Sequence, residues 1–121
     1  MVRDLHLDLQ IEGVPTVREA DGLALSSRNR FLTPEERAQA PVLRGALLEA
    51  RTAFRRGETR AAALRAILLE VLSSAPLARV DYAEIREADT LAEVATVRRN
   101  CIMALAVFFG RTRLIDNLWL R

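Results

Sequence analysis

The run Cys101-Ile102-Met103-Ala104-Leu105-Ala106-Val107-Phe108-Phe109 constrains this chain more than any other stretch. Successive side chains of an extended chain point to opposite faces, so a strand of this composition is apolar on both and must be covered on both. It is far shorter than the roughly 20 residues a membrane-spanning helix needs. Residues 99–109 are therefore read as a central strand, with a buried helix as the alternative that periodicity alone leaves open. Before it, Val80-Asp81-Tyr82-Ala83-Glu84-Ile85 alternates in the manner of a strand with one wet face. After it, residues 110–112 supply a tight turn and residues 113–120 a last strand. A short turn of helix is expected at Thr90-Leu91-Ala92-Glu93-Val94.

The period is different upstream. Thr33-Pro34-Glu35-Glu36 is a helix start: Thr33 caps, Pro34 fits the first helical position, and Glu36 completes a capping box at the positive end of the dipole. Ala38, Val42, Ala46, Leu47, Ala50 and Phe54 then mark one face of a helix that should stop near Gly57. Leu64, Ile67, Leu68, Val71 and Leu72 mark a second amphipathic helix, ending before Pro76. The expected fold is α+β, with two amphipathic helices packed on a small three-stranded antiparallel sheet. Residues 5–12 also alternate, which predicts a further strand with no sequence-near partner.

At 121 residues, half of them hydrophobic, the chain can build one real but marginally stable core. Its net charge is +2, and every basic side chain except His6 is arginine. That small balance, acids alternating with arginines and no interleaved aromatic platform argue against nucleic acid as a partner. The single cysteine forms no intrachain disulfide and fits a reducing compartment. No secretory leader or membrane span is legible, so the cytoplasm is the expected location and no membrane partner is expected. Cys101 reads as a buried small hydrophobe, and Arg98 and Arg99 as solvated edge residues. His6 alone makes no metal site.

The chemistry-bearing stretch is residues 13–30, Gly-Val-Pro-Thr-Val-Arg-Glu-Ala-Asp-Gly-Leu-Ala-Leu-Ser-Ser-Arg-Asn-Arg. Hydroxyls and backbone N–H groups donate to phosphate oxygens, and a guanidinium binds them bidentately. Ser26, Ser27 and Arg28 supply such donors, whereas Arg18 and Glu19 are expected to brace the loop or pair with each other, and Asp21-Gly22 to turn it. An isolated Ser-Ser-Arg-Asn is usually an ordinary polar loop. The whole stretch, however, closely resembles the nucleotide loop of the pantoate–β-alanine ligase (pantothenate synthetase) family, and the resemblance continues almost to the last residue. Thr112-Arg113-Leu114-Ile115-Asp116-Asn117 is similar to that family's tail, where Asp116 and Asn117 are expected to satisfy backbone groups at the sheet end.

The resemblance implies an ATP-dependent ligase that condenses pantoate with β-alanine through pantoyl adenylate, giving pantothenate, AMP and pyrophosphate. By that likeness Leu25, Ser26, Ser27 and Arg28 contact ATP, Val17 contacts the adenine side through its backbone, and Arg28 is also the catalytic residue. Mg²⁺ is expected to accompany ATP, and no protein ligand for a metal is identified. The likeness is to the C-terminal part alone. It implies that residues 1–32 are the terminal strand and ATP-binding loop of a Rossmann-like nucleotide-binding domain otherwise absent, and residues 33–121 a C-terminal α+β lid domain. Pantoate and β-alanine are then expected to bind only with the N-terminal domain present, and the chain to be inactive alone. The rival expectation is a non-catalytic, self-associating module, such as a homodimer through an exposed strand edge. Arg28→Ala separates the two, weakening ATP binding but not self-association.

Overall fold

The computed structural model describes residues 18–23, 27–98 and 100–120, with residues 27 and 28 as backbone only. The strand expected at 5–12, His6, Val17, Leu25, Ser26 and Arg99 lie outside the described residues, as do the side chains of Ser27 and Arg28. After a 3-10 helix, Ser27–Phe31, come α1 (Pro34–Gln39), α2 (Val42–Arg55) and α3 (Ala61–Leu72), then β1 (Ala78–Glu87), β2 (Cys101–Phe109) and β3 (Thr112–Leu120). The three strands form an antiparallel sheet in the order β1-β2-β3. The expected two-helix cover over a three-stranded sheet is present.

The central strand lies where its composition demands. Leu105 sits opposite Ala83 of β1 and Asp116 of β3. On one face Met103, Leu105, Val107 and Phe109 are fully buried with Leu43, Leu47 and Ala50 of α2 and Leu64, Leu68 and Leu72 of α3. On the other, Ile102 and Ala104 are buried beneath Tyr82, Leu91 and Trp119. Helices cover one side and the neighbours' own side chains the other. Cys101 is buried, as expected.

The helix start is also as read. Thr33 Oγ1 accepts the Glu36 N–H at 3.1 Å, and the Thr33 N–H donates to Glu36 Oε1 at 2.9 Å. Such a cap contributes about 1 kcal/mol. The helix expected to run on to Gly57 is, however, divided between Gln39 and Val42. Pro41 has no N–H to donate back into the ladder, so it begins α2 instead, its carbonyl accepting the Gly45 N–H at 3.1 Å. The helical turn expected at residues 90–94 is absent. Leu91 takes a left-handed φ of 59°, and residue 93 returns beside Arg86 in an isolated antiparallel bridge. One turn fixes three residues for a single hydrogen bond, too little to nucleate a helix that nothing else holds.

The β2–β3 turn favours a glycine at its left-handed position, with the Glu36 carboxylate close beside it. Gly110 has φ of +62°, and a Cβ there would meet Glu36 Oε2 at 2.8 Å. The hairpin tip therefore rests on the capping carboxylate of α1.

Candidate functional site

Three ion-paired contacts fix the loop that precedes α1. The Arg18 guanidinium forks onto Asp116, with Nη1 to Oδ2 at 2.7 Å and Nη2 to Oδ1 at 2.9 Å, and it also donates to the Gly22 carbonyl at 3.0 Å. Arg37 of α1 donates to Glu19 Oε1 at 2.6 Å and to Asp21 Oδ2 at 2.7 Å. Asn29, in the 3-10 helix, donates to Glu19 Oε2 at 3.3 Å. The loop closes on itself through Gly22 N–H to the Glu19 carbonyl and Glu19 N–H to the Leu23 carbonyl, both 2.9 Å, while Leu23 enters the core. Gly22 sits at φ of +93°, where an L side chain is strained, and Arg44 of α2 packs across it.

Asp116 departs from expectation. It lies within β3 with the same parity as Leu114 and Leu118, on the core-facing side, and its side chain is 3% exposed. A carboxylate placed there must be paired, and Arg18, separated by 98 positions in the chain, supplies the partner. Arg18 thus does brace the loop, but against the sheet and not through Glu19, which Arg37 takes. Asp116 also accepts its neighbour Asn117's N–H at 2.8 Å. The signal for this pair was the charge itself, breaking the apolar alternation of Leu114, Leu118 and Leu120 on one face.

Hydrogen bonding from Arg37 holds the Asp21 carboxyl below its ordinary 3.8, and Asp21 with Glu19 raises the Arg37 guanidinium above the usual arginine range. A depressed carboxyl contributes stability that is present above the unfolded value and lost as pH falls through the folded one. The Arg37–Asp21 contact should therefore be intact above pH 3.8 and be lost as pH falls through the lower folded value of Asp21. A ¹³C-carboxyl NMR titration checks this: Asp21 should titrate below 3.8 and return towards it in Arg37→Gln. An Asp21 midpoint unaffected by Arg37→Gln would remove the clamp from the account.

Beside the 3-10 helix an open cleft of about 540 Å³ is lined by Phe31, Glu36, Phe109, Arg111, Thr112 and Arg113. Phe31 is 64% exposed, with the Arg30 guanidinium 5.2 Å from its ring centroid. Among the described residues no group of three His, Cys, Asp or Glu side chains stands together to hold a metal ion. The described carboxylates therefore give Mg²⁺ no protein ligand set. No helix among the described residues is long and apolar enough to cross a membrane.

Fold and loop together define an α+β domain with helices on one sheet face and an ion-pair-anchored loop ahead of its first helix. A sequence profile described as Pantoate-beta-alanine ligase matches residues 1–119. The chain belongs to the pantoate–β-alanine ligase family. It is 50% identical over 118 residues to the pantothenate synthetase of Herpetosiphon aurantiacus, covering 97% of this chain and 43% of the relative. The pantothenate synthetase of Anaeromyxobacter dehalogenans is 55% identical over 117 residues, with 97% and 40% covered. The solved structure of pantothenate synthetase from Thermus thermophilus superposes with a TM-score of 0.84 at 43% identity, over 98% of this chain and 43% of that one. The chain spans less than half the length of these relatives, and the portion it matches is their C-terminal part.

Proposed function

We propose that this chain supplies the C-terminal part of the active site of an ATP-dependent pantoate–β-alanine ligase. Pantoate carboxylate attacks the α-phosphate of ATP, pyrophosphate leaves, and the β-alanine amine then displaces AMP from the pantoyl adenylate to give pantothenate. Residues 1–32 contribute the end of a nucleotide-binding domain and its loop, and residues 33–121 act as the lid. Val17 faces the adenine side, while Leu25, Ser26, Ser27 and Arg28 hold the phosphates, with Arg28 stabilising charge as pyrophosphate departs. Such catalysis is chiefly positioning and electrostatics.

The placement of the Ser27–Phe31 helix carries the reading. Behind it the loop is fastened at Arg18 and Arg37, and beside it lies the open cleft. A phosphate-binding segment needs such a fixed base, because donors already aimed at developing charge need no rearrangement during reaction. The test is pyrophosphate release from ATP, pantoate and β-alanine in the presence of Mg²⁺. This chain should be silent alone and active when mixed with the N-terminal part of a family member. Activity of the chain alone would show that the site is not divided as proposed. Silence of the mixture, with both parts folded, would favour a non-catalytic, self-associating module.

A further inference from the structure

Among the described residues, the half-buried arginines follow a pairing rule with two exceptions. The half-buried guanidiniums of Arg18, Arg37, Arg86 and Arg113 each hold a carboxylate: Asp116, Glu19 with Asp21, Glu84 and Asp81. Arg44 and Arg51 are also half-buried, yet among the described residues neither has a hydrogen-bond or ion-pair partner. Both are on α2, seven positions apart, which is about two turns and about 10 Å along one helix face. Half-buried Leu48 stands between them on that face. Arg44 lies under the Gly22 turn, its Cγ 3.2 Å from where a Cβ of residue 22 would stand.

The electrostatics there are one-sided. Burial lowers the Arg44 guanidinium below the usual arginine range, and Arg18 and Arg51 press in the same direction. Asp116 alone opposes them, by charge and without a hydrogen bond to Arg44, its close partner being Arg18. Partly desolvated like charges that outnumber their counter-charge are unfavourable unless something else compensates them.

We propose that Arg44 and Arg51 form an anion site on α2, and that its ligand is a phosphate-class dianion or polyanion, inorganic pyrophosphate being the simplest. Each guanidinium presents a planar fork of donors that fits phosphate oxygens. One carboxylate can satisfy one fork, whereas a diphosphate offers oxygens on two centres and enough charge for both. The choice of a diphosphate rests on the proposed ligase reading, in which pyrophosphate is the leaving group, but the anion site does not.

Calorimetric titration of inorganic pyrophosphate into the chain at low ionic strength tests the proposal. Arg44→Gln should weaken binding at least about tenfold, the loss of one charge-assisted pair. Arg51→Gln should weaken it several-fold, and Arg44→Lys should not restore it, since an ammonium lacks the fork. Without pyrophosphate, Arg44→Gln should melt no lower than wild type, because it removes an uncompensated charge, and pyrophosphate should raise the melting temperature of wild type only. The site is overturned if wild type does not bind pyrophosphate, or if Arg44→Gln and Arg51→Gln bind as wild type does. Loss confined to Arg28→Ala also overturns it, placing the anion in the loop. Arg44-dependent capture of polyglutamate without capture of pyrophosphate overturns the phosphate class and gives the face to an acidic protein. Pyrophosphate binding that persists at Arg44 while the two-part enzyme stays silent leaves this site standing and removes the ligase reading.

Discussion

Replacing Arg28 with Ala should lower pyrophosphate release by the complemented two-part enzyme about 10²–10³-fold, equivalent to roughly 3–4 kcal/mol of transition-state stabilisation. The expectation comes from what a guanidinium does as a P–O bond breaks. A guanidinium can meet growing charge on departing phosphates with two parallel donors. Arg28→Lys should recover part of the rate, because it keeps the charge and loses the fork. Neither substitution should alter the fold, since the loop is tied down at Arg18, Leu23 and Arg37 on one side and capped into α1 on the other. The measurement is a steady-state rate at saturating ATP alongside a melting curve. A rate within about threefold of wild type, with the protein folded, would take Arg28 out of the chemistry.

Asp116→Asn should be the most damaging isosteric change to stability. The substitution turns one carboxylate oxygen into an N–H₂ donor facing the Arg18 donors, where a buried acceptor is required. Breaking a buried pair from one side costs about 3 kcal/mol or more. For a domain of this size that corresponds to a fall in melting temperature on the order of 15 °C. The double change Arg18→Met with Asp116→Leu should recover much of that loss, because an apolar pair leaves no stranded charge. It should also free the loop, weakening ATP binding in the two-part enzyme even where the melting temperature is restored. If Asp116→Asn melts within about 3 °C of wild type, the pair does not hold the loop to the sheet.

The contrast between these two sites shows what the residues could and could not announce. The three strands of the sheet, the central place of the Cys101–Phe109 run and the Thr33 capping box were all legible, because each depends on neighbours within a few positions. The break at Pro41 was signalled by the proline but masked by an apolar face that continues through it, from Ala38 to Val42 and Ala46. The absent turn of helix at residues 90–94 was propensity overridden by the bridge to Arg86. Arg18 with Asp116 belongs to another class. The charge at Asp116 interrupts the apolar alternation of Leu114, Leu118 and Leu120, but nothing local says that Arg18 is its partner, 98 positions away. Arg37 likewise has no near-sequence partner to mark it, because Asp21 and Glu19 lie 16 and 18 positions away. As for Val17, Leu25, Ser26, Ser27 and Arg28, the motif names them and their roles remain the subject of the Arg28 experiment.

Glu36 serves two masters: its Oε1 accepts the Thr33 N–H, and its Oε2 lies against Gly110. The solvent-facing hairpin tip would ordinarily be the obvious place to graft a tag, an epitope or new chain ends, because exposed turns tolerate insertion well. Here the tip is seated on the first turn of α1, immediately after the loop that the proposed chemistry needs. Anything spliced between Phe109 and Thr112 would press on the start of that helix, so a fluorophore placed there would report on the loop and at the same time disturb it.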